Sequence, residues 1–357
     1  MQGLAVADRE RFAYTYGYLQ PKPDDTLGDL LAQGASVHCF HLRSNARILL
    51  AARRIARFLQ QNGIDLVHAH LPMAGIVARL AGRMAGVPVV YTEHCPPNRY
   101  NPLVRMFHRF TWPLVTHGIA VSRDVAESMA HELGDRVPVR TVWNGVNVVD
   151  FDPQCFDGDE IRGRLGIPTE AHVVGTVAVF RDTPEKRLDL WLNAAGMIRD
   201  QVPDTHFIMV GDGPLKEKLV AQANALGLAG AVHFVGRQLD VRPYLAAMDI
   251  FLMSSAYEGF GIALVEAMAM EVAVVATNVE GVRNIIEHGE TGLLAPFDDD
   301  VARGLAGLVV DLLRNPGRRQ DLAVAGRQSA TENFSIVRMQ RELEQTYVSV
   351  FETVSAR

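Results

Sequence analysis

Cysteine is scarce in this chain: Cys39, Cys95 and Cys155 are its only three, widely spaced along 357 residues. Such a small, odd number excludes a disulfide-rich secreted scaffold and fits free thiols in a reducing compartment. Long apolar runs are lacking too, because no stretch reaches the roughly 18 to 20 residues of a membrane-spanning helix. Residues 1–12 also lack the apolar core of a signal peptide. We therefore predict a cytoplasmic protein, with any membrane contact peripheral and on the inner membrane face.

An excess of positive charge is also absent, since the formal net charge is −6. This balance argues against an extended nucleic-acid-binding surface, although a local basic patch can still meet an anionic acceptor or a membrane. The length of 357 residues predicts two or three domains, each large enough to bury its own core.

Short strand patterns alternate with helical ones through both halves of the chain. In the first half the strand patterns lie at 11–19, 35–42, 65–71, 87–94, 117–122 and 139–145, with helical patterns at 46–61, 73–85 and 124–133. The alternation restarts with strand patterns at 171–180, 205–211, 231–236, 249–255 and 272–278. It predicts two doubly wound α/β units whose parallel sheets are covered on both faces. We expect domains at 1–150 and 168–334, and a C-terminal helix at 335–357 that packs back toward the first.

Two glutamates eight positions apart, Glu258 and Glu266, give the strongest local signal. A loop with Gly259 and Gly261 separates Glu258 from a segment whose apolar residues recur at helical spacing. Free amide groups at the start of that helix, beside glycines that allow close approach, predict a cradle for an anion. Carboxylates beside a phosphate are useful only when the ligand also offers hydroxyl donors. A nucleotide sugar has both parts.

Two cations in the second half suit the same ligand. Arg181 follows a strand pattern, and Lys186 lies five residues later, just before a helix that begins near Leu188. Both can point across the strand ends, where doubly wound sheets bind their ligands. Fixed cations stabilise a diphosphate leaving group, because its negative charge grows as its bond to the sugar breaks. Gly211 and Gly213 predict a tight turn at the next strand end.

These motifs, in this order, resemble the donor half of the retaining glycosyltransferases of family 4. The likeness rests on RxxPEK at 181–186, VGDGP at 210–214, VHFVG at 232–236 and SSAYEGFGIALVEAMA at 254–269, followed by VVAT and GETGLL. The first half agrees through DLVHAH at 65–70, VVYTEH at 89–94, AVS at 120–122 and WNGVNVVDF at 143–151. The resemblance covers roughly residues 60–330. It implies the GT-B fold, in which two Rossmann-like domains face each other across a cleft.

The resemblance also implies roles for single residues. The set expected to bind the donor comprises Gly213, Gly236, Arg237, Glu258, Gly259, Phe260, Gly261 and Glu266. Within it, Glu266 would hold the ribose, Glu258 the sugar, and the backbone around Gly236 and Arg237 would border the base. The residues expected at the reacting centre are His94, Arg181, Lys186 and Glu258, with His94 against the donor sugar.

The activity implied is that of a hexosyltransferase, which moves a sugar from a UDP- or GDP-type donor to a hydroxyl acceptor. The acceptor would be a glycan or lipid-linked glycan, in cell-surface polysaccharide or glycolipid synthesis. The resemblance implies retention of anomeric configuration. We expect no metal or other cofactor, because Arg181, Lys186 and helix amides already offset the diphosphate charge.

Some positions depart from the family pattern. Arg187 and Glu271 stand where the family has glycine, and Ala273 stands where it has proline. The strand pattern at 11–19 resembles the family's second strand, so the usual first strand and its glycine-rich loop would be missing. Because that strand occupies the middle of the sheet, we expect an interruption there.

Alternatives to an active transferase remain open from the residues. One is a truncated, inactive nucleotide-sugar-binding protein, and another is a GT-B hydrolase or epimerase of nucleotide sugars. His68 and His70 also suggest the HxH zinc pair of amidohydrolase barrels, which would require further ligands at later strand ends. The sequence at 157–159 resembles the DxD of metal-dependent glycosyltransferases, but we interpret it as a solvated turn.

Overall fold

The computed structural model describes residues 2–20, 26–41, 48–183 and 185–355. The chain divides into two compact units, Met1–Gly145 with Ile336–Arg357, and Val146–Ser335. Each unit is built from parallel strands with helices between them, which confirms the predicted α/β class. Among the described residues, no helix is both long and apolar enough to cross a membrane.

In its described residues, the first unit contains six short strands in two parallel sheets. Strands β1 (Thr15–Tyr18) and β2 (Ser36–Cys39) pair with each other. The second sheet has the order β3 (Val67–His70), β4 (Val89–Glu93), β5 (His117–Ala120) and β6 (Val139–Thr141). All six strands fall inside the segments predicted from the sequence. Within the described ranges, β1 and β3 are not paired, so the sheet is interrupted between them.

Helices of the first unit begin and end at recognisable residues. They are α1 (Thr26–Ala32), α2 (Ile48–Gln61), α3 (Pro72–Ala85), α4 (Pro102–Thr111) and α5 (Arg123–Leu133). The side chains of Asn101 and Ser122 accept hydrogen bonds from the first-turn amides of α4 and α5, as N-cap residues do. Helix α3 ends at Gly86 in the left-handed conformation. The predicted helix at 46–61 begins, within the described residues, at Ile48.

In the described part of the second unit, six parallel strands form a single sheet. Its strands are β7 (His172–Val177), β8 (Thr205–Val210), β9 (Val232–Gly236), β10 (Ile250–Met253), β11 (Ala273–Thr277) and β12 (Leu293–Ala295). Their spatial order is β12-β11-β10-β7-β8-β9. The chain therefore runs outward from β7 in one direction and then returns to build outward from β10 in the other. The boundary between β7 and β10 is the topological switch point, where sheets of this kind bind ligands.

Helices cover both faces of this sheet. They are α6 (Gly158–Leu165), α7 (Leu188–Gln201), α8 (Lys216–Ala225), α9 (Arg242–Ala246), α10 (Ile262–Ala269), α11 (Val301–Arg314) and α12 (Pro316–Asn333). Trp191 of α7 is fully buried, and its indole donates a hydrogen bond of 3.0 Å to the Leu252 carbonyl of β10. This bond joins α7 to the strand on the far side of the switch point.

The C-terminal helix α13 (Ile336–Ser355) belongs to the first unit. Its Tyr347 and Val350 are buried with Val90 of β4 and Ile119 of β5. The helix predicted at 335–357 thus packs its apolar side on the four-stranded sheet, because a helix buries the side chains that recur every three to four residues. Residues 356 and 357 lie outside the described part.

Candidate functional site

An ion pair lies at the switch point of the second unit. Lys186 follows β7 and Glu258 follows β10, and Lys186 Nζ is 2.5 Å from Glu258 Oε1. Ser255 donates a second hydrogen bond, 2.7 Å long, to the same oxygen. The carboxylate side chain is only 10% exposed, whereas that of the lysine is 33% exposed. The structure thus brings the predicted phosphate-binding cation and the predicted sugar-binding carboxylate into direct contact.

Backbone contacts fix the two loops that carry this pair. Ser254 Oγ donates to the carbonyls of Lys186, at 3.2 Å, and Arg187, at 2.9 Å. The Ala256 amide donates to the Glu185 carbonyl at 2.7 Å. Sequence reasoning did not single out the two serines after β10, and only their position directly after a buried strand could have marked them. Since both loops are held by such bonds, the pair is preorganised.

The start of α10 is formed by backbone rather than side chains. Gly261 occupies the N-cap position with φ 90°, and no side chain among the described residues caps the helix. Gly281 approaches so closely that a Cβ there would lie 2.3 Å from the Glu258 carbonyl oxygen. Phe260 is buried, and its ring centroid lies 5.7 Å from that of Phe334, so its side chain packs inward. An uncapped helix start beside glycine is suited to an anion.

Glu266 lies one turn into α10 and is half-buried. Burial raises the pKa of its carboxyl from 4.5 to about 7. A carboxylate of this kind gains from a ligand that donates hydrogen bonds to it, as a diol does. The residue can thus take up or release a proton near neutral pH when a ligand binds.

The other predicted donor-side residues lie at neighbouring strand ends. Arg181 and Arg237 follow β7 and β9 and are exposed, and within the part of the chain that the structure describes neither makes an ion pair. The Gly211 amide donates to the Gly236 carbonyl at 2.9 Å, which ties the ends of β8 and β9 together. A Cβ at Gly213 would lie 2.4 Å from the Phe180 carbonyl oxygen. Packing alone therefore requires the glycine at 213.

His94, the predicted residue of the first unit, directly follows β4 and contacts another histidine. Its Nε2 lies 3.0 Å from His70 Nδ1 at the end of β3. Burial lowers the pKa of both rings, so both are neutral at pH 7 and one of the two facing nitrogens carries the shared proton. His70 thereby determines which nitrogen of His94 is left for another partner.

A buried polar cluster holds the loop that begins at His94. Glu93 and His108 are fully buried and their side chains lie 3.0 Å apart. Tyr100 donates a hydrogen bond to Glu93, and the guanidinium of Arg79 lies 4.2 Å from the Tyr91 ring centroid. Because Glu93 and Tyr100 flank residues 94–99, their bond closes that loop. Sequence reasoning missed this cluster, since its members are scattered over three elements.

The metal-based alternatives find no support in the described residues. No three His, Cys, Asp or Glu side chains there are grouped so that they could hold a metal ion. Both nitrogens of His68 are engaged, with Tyr347 Oη and Thr92 Oγ1, each at 2.7 Å, and the open topology of the sheets excludes an amidohydrolase barrel. Asp157 is the N-cap of α6 and accepts from the Asp159 amide. The predicted turn at 157–159 is thus a helix start.

Two parallel α/β units, the second with a cation and a carboxylate in contact at its switch point, are typical of the Rossmann-like class of nucleotide-binding proteins. The family described as "Glycosyl transferases group 1" matches residues 157–329, and "Glycosyltransferase Family 4" matches residues 10–149. The phosphatidyl-myo-inositol mannosyltransferase of Mycobacterium leprae is 30% identical over 316 residues, which cover 85% of this chain and 77% of the relative. The chain belongs to the family 4 glycosyltransferases of GT-B fold.

A further relative and a solved structure are also similar to this chain. The N-acetyl-alpha-D-glucosaminyl L-malate synthase of Bacillus anthracis is 27% identical over 309 residues, covering 85% of this chain and 79% of the relative. The crystal structure of Anabaena Alr3699/HepE in complex with UDP and glucose has a TM-score of 0.85 and 23% identity, covering 97% of this chain and 94% of the other. The latter confirms the GT-B fold predicted from the sequence.

Proposed function

We propose that this protein is a retaining glycosyltransferase that moves a sugar from a UDP- or GDP-type donor to a hydroxyl group, without a bound metal ion. The observation that carries the proposal is the contact between Lys186 and Glu258 at the switch point, beside the uncapped start of α10. A cation, free helix amides and a carboxylate at one place match a ligand that is anionic at one end and rich in hydroxyl groups at the other.

The donor would meet these groups in a definite order. Its diphosphate would lie between Lys186 and the amides at Gly261, with Arg181 as a second cation that can turn toward it. Its sugar hydroxyls would donate to Glu258, which would then exchange part of its bond with Lys186 for bonds to the sugar. The ribose diol would donate to Glu266. The base would lie against the backbone near Gly236 and Arg237.

Transfer would follow from stabilisation of the leaving diphosphate. The bond between the anomeric carbon and the diphosphate oxygen breaks while the acceptor oxygen attacks from the same face. The acceptor proton passes to the departing oxygen, so the products are the nucleoside diphosphate and a glycoside of unchanged anomeric configuration. The positive charges of Lys186 and Arg181 are the fixed electrostatic part of this step. His94 would contact the donor sugar, oriented by its bond to His70.

The acceptor is proposed from the relatives alone. The name of the Mycobacterium leprae relative states that it acts on phosphatidyl-myo-inositol, a membrane lipid. We extend this to an acceptor that is a glycan or lipid-linked glycan, in cell-surface polysaccharide or glycolipid synthesis. Such an acceptor requires that a cytoplasmic enzyme reach the membrane surface peripherally.

The test is a panel of UDP- and GDP-sugars incubated with hydroxyl acceptors, with anomeric configuration read by proton NMR. We expect one donor to be consumed, with product of the donor's own anomeric configuration and a rate unaffected by EDTA. Release of free sugar or an isomerised donor without acceptor would support a hydrolase or an epimerase instead. A product of inverted configuration would refute the retaining mechanism, and donor binding without turnover would indicate a binding protein.

A further inference from the structure

Helix α4 exposes its apolar side. Four large apolar side chains recur at helical spacing along it and are 42 to 76% exposed, namely Leu103, Met106, Phe107 and Phe110. On a helix with 3.6 residues per turn they cover an arc of about 100°. We call these four residues the apolar stripe. An exposed stripe of this size on a well-formed helix marks an interaction surface.

The opposite side of α4 explains why the stripe faces outward. The helix packs on its unit through Val104, His108 and Thr111, and His108 and Thr111 are buried. The imidazole of His108 contacts Glu93, and Thr111 Oγ1 accepts a hydrogen bond of 3.2 Å from the buried Arg79. Since polar contacts fix this side inward, the normal amphipathic order is reversed.

The three helices α2, α3 and α4 carry acid–base side chains of one sign, apart from histidine. Helix α3 contacts both α2 and α4, so the three form one layer. Together they carry seven arginines and no Asp or Glu, although the whole chain has a net charge of −6. Six of these arginines are exposed, namely Arg53, Arg54, Arg57, Arg83, Arg105 and Arg109. Arg105 pairs with Glu132 of α5 at 2.5 Å.

We propose that the layer of α2, α3 and α4 docks on the surface of an anionic lipid bilayer. The apolar stripe would enter the boundary between headgroups and acyl chains, and the arginines would contact acidic headgroups. Uniform positive charge over three helices favours a broad anionic surface over a protein partner, whose charges are mixed and local. The docking itself does not depend on the proposed reaction.

Docking of α4 would serve a lipid-linked acceptor if the proposed function is right. The loop of residues 94–101 runs from His94 straight into α4, and its ends are tied by the bond between Tyr100 and Glu93. Docking of α4 therefore keeps His94 near the membrane surface, because only this short loop separates it from the helix. This part of the inference rests on the proposed function.

The test is flotation of the full chain with vesicles, in the absence of donor and acceptor. We expect binding to phosphatidylcholine vesicles that contain about 30% phosphatidylglycerol, weak binding to pure phosphatidylcholine, and loss of binding at about 0.5 M NaCl. Replacing both Leu103 and Phe110 by serine should weaken binding at least about tenfold. Arg53→Gln and Arg57→Gln should each weaken it by about fivefold. Leu239→Ser, an exposed leucine of the second unit, is the matched control and should bind like the wild type.

A second measurement reports on the helix itself. Phe110→Trp keeps the stripe apolar and adds a fluorescent side chain to it. The tryptophan emission of this variant, after subtraction of the wild-type emission, should shift to the blue with anionic vesicles only. The proposal would be overturned if Leu103→Ser with Phe110→Ser left vesicle binding unchanged. It would also be overturned if the fluorescence of the tryptophan at position 110 did not shift when the Phe110→Trp variant is bound to vesicles. The proposal would also be overturned if sedimentation velocity showed that the wild type is a dimer and that Leu103→Ser with Phe110→Ser makes it a monomer. A second copy of the chain would then cover the stripe. Transfer activity is not measured, so failure here leaves the proposed reaction standing.

Discussion

Glu266→Gln should make the protein more stable and a weaker nucleotide binder. Burial raises the pKa of this carboxyl from 4.5 to about 7 in the folded state. Stability that comes from the neutral carboxyl is therefore fully present below about pH 4.5 and is lost as the pH rises through about 7. Glutamine has nearly the same shape and stays neutral, so its advantage over glutamate should grow with pH.

The magnitude follows from the size of the shift. At about 1.4 kcal/mol per pKa unit, the ionised carboxylate destabilises the folded state by roughly 3 kcal/mol above pH 8. At pH 5.5 the same two pKa values give a destabilisation of only about 1.4 kcal/mol. The stability gained by Glu266→Gln should therefore be about 2 kcal/mol larger above pH 8 than at pH 5.5. Glutamine keeps one acceptor oxygen for the ribose diol, so loss of one charge-assisted bond should meanwhile weaken nucleotide binding by about 1.5 to 3 kcal/mol.

Denaturant unfolding at about pH 5.5 and pH 8.5 measures the first effect, and calorimetric titration with UDP and GDP measures the second. Glu290→Gln removes an exposed carboxylate from the same unit and corrects for the general loss of one negative charge. A gain in stability that is equal at the two pH values would show that burial does not hold this pKa up. Unchanged nucleotide affinity would refute the contact with ribose.

Further predictions concern the same unit. Arg181→Ala and Lys186→Ala should each cost about 2 to 4 kcal/mol of transition-state stabilisation in transfer assays, and wild-type rates would end the diphosphate assignment. Glu258→Gln should weaken binding of the nucleotide sugar but leave the free nucleoside diphosphate bound as well or better, because Lys186 loses its present partner; equal weakening of both ligands by calorimetry would contradict this. EDTA should change the rate by less than about twofold, too little for a catalytic ion, and recovery of an abolished rate by Mn²⁺ would refute metal independence. Glu271 has φ 55°, so Glu271→Gly should be about 1 kcal/mol more stable to denaturant than Glu271→Ala, and the reverse order would argue against strain at this position.

Much of the second unit could be predicted from its sequence, because its strands are buried on both faces and read as continuous apolar runs. The strand ends then placed Lys186 and Glu258 at one edge. Their direct contact could not be predicted, since it depends on the order β10-β7 and on Ser254 and Ser255, which fix the loops. The left-handed backbone at Arg187, with φ 44°, explains why the family pattern has glycine there.

The first unit was predicted less completely. Its strands were located, but the cluster of Glu93, His108 and Arg79 was not, because buried charges are rare and their partners come from separate elements. Helix α4 was not among the helices named from the sequence, so its reversed amphipathicity was missed too. An apolar spacing in sequence indicates which residues share a face, but only the packing of His108 and Thr111 shows which face is inward.

Binding of a nucleoside diphosphate at Lys186 is the most direct test of the account, because it needs only the second unit and no acceptor. Calorimetric titration of the wild type, Lys186→Met and Lys218→Met with UDP and GDP would measure it. We expect one nucleotide to bind the wild type, about 30-fold weaker binding to Lys186→Met, and wild-type affinity for Lys218→Met, whose lysine is 73% exposed. Equal affinity of the wild type and Lys186→Met would contradict the claim that the switch-point cation holds the diphosphate.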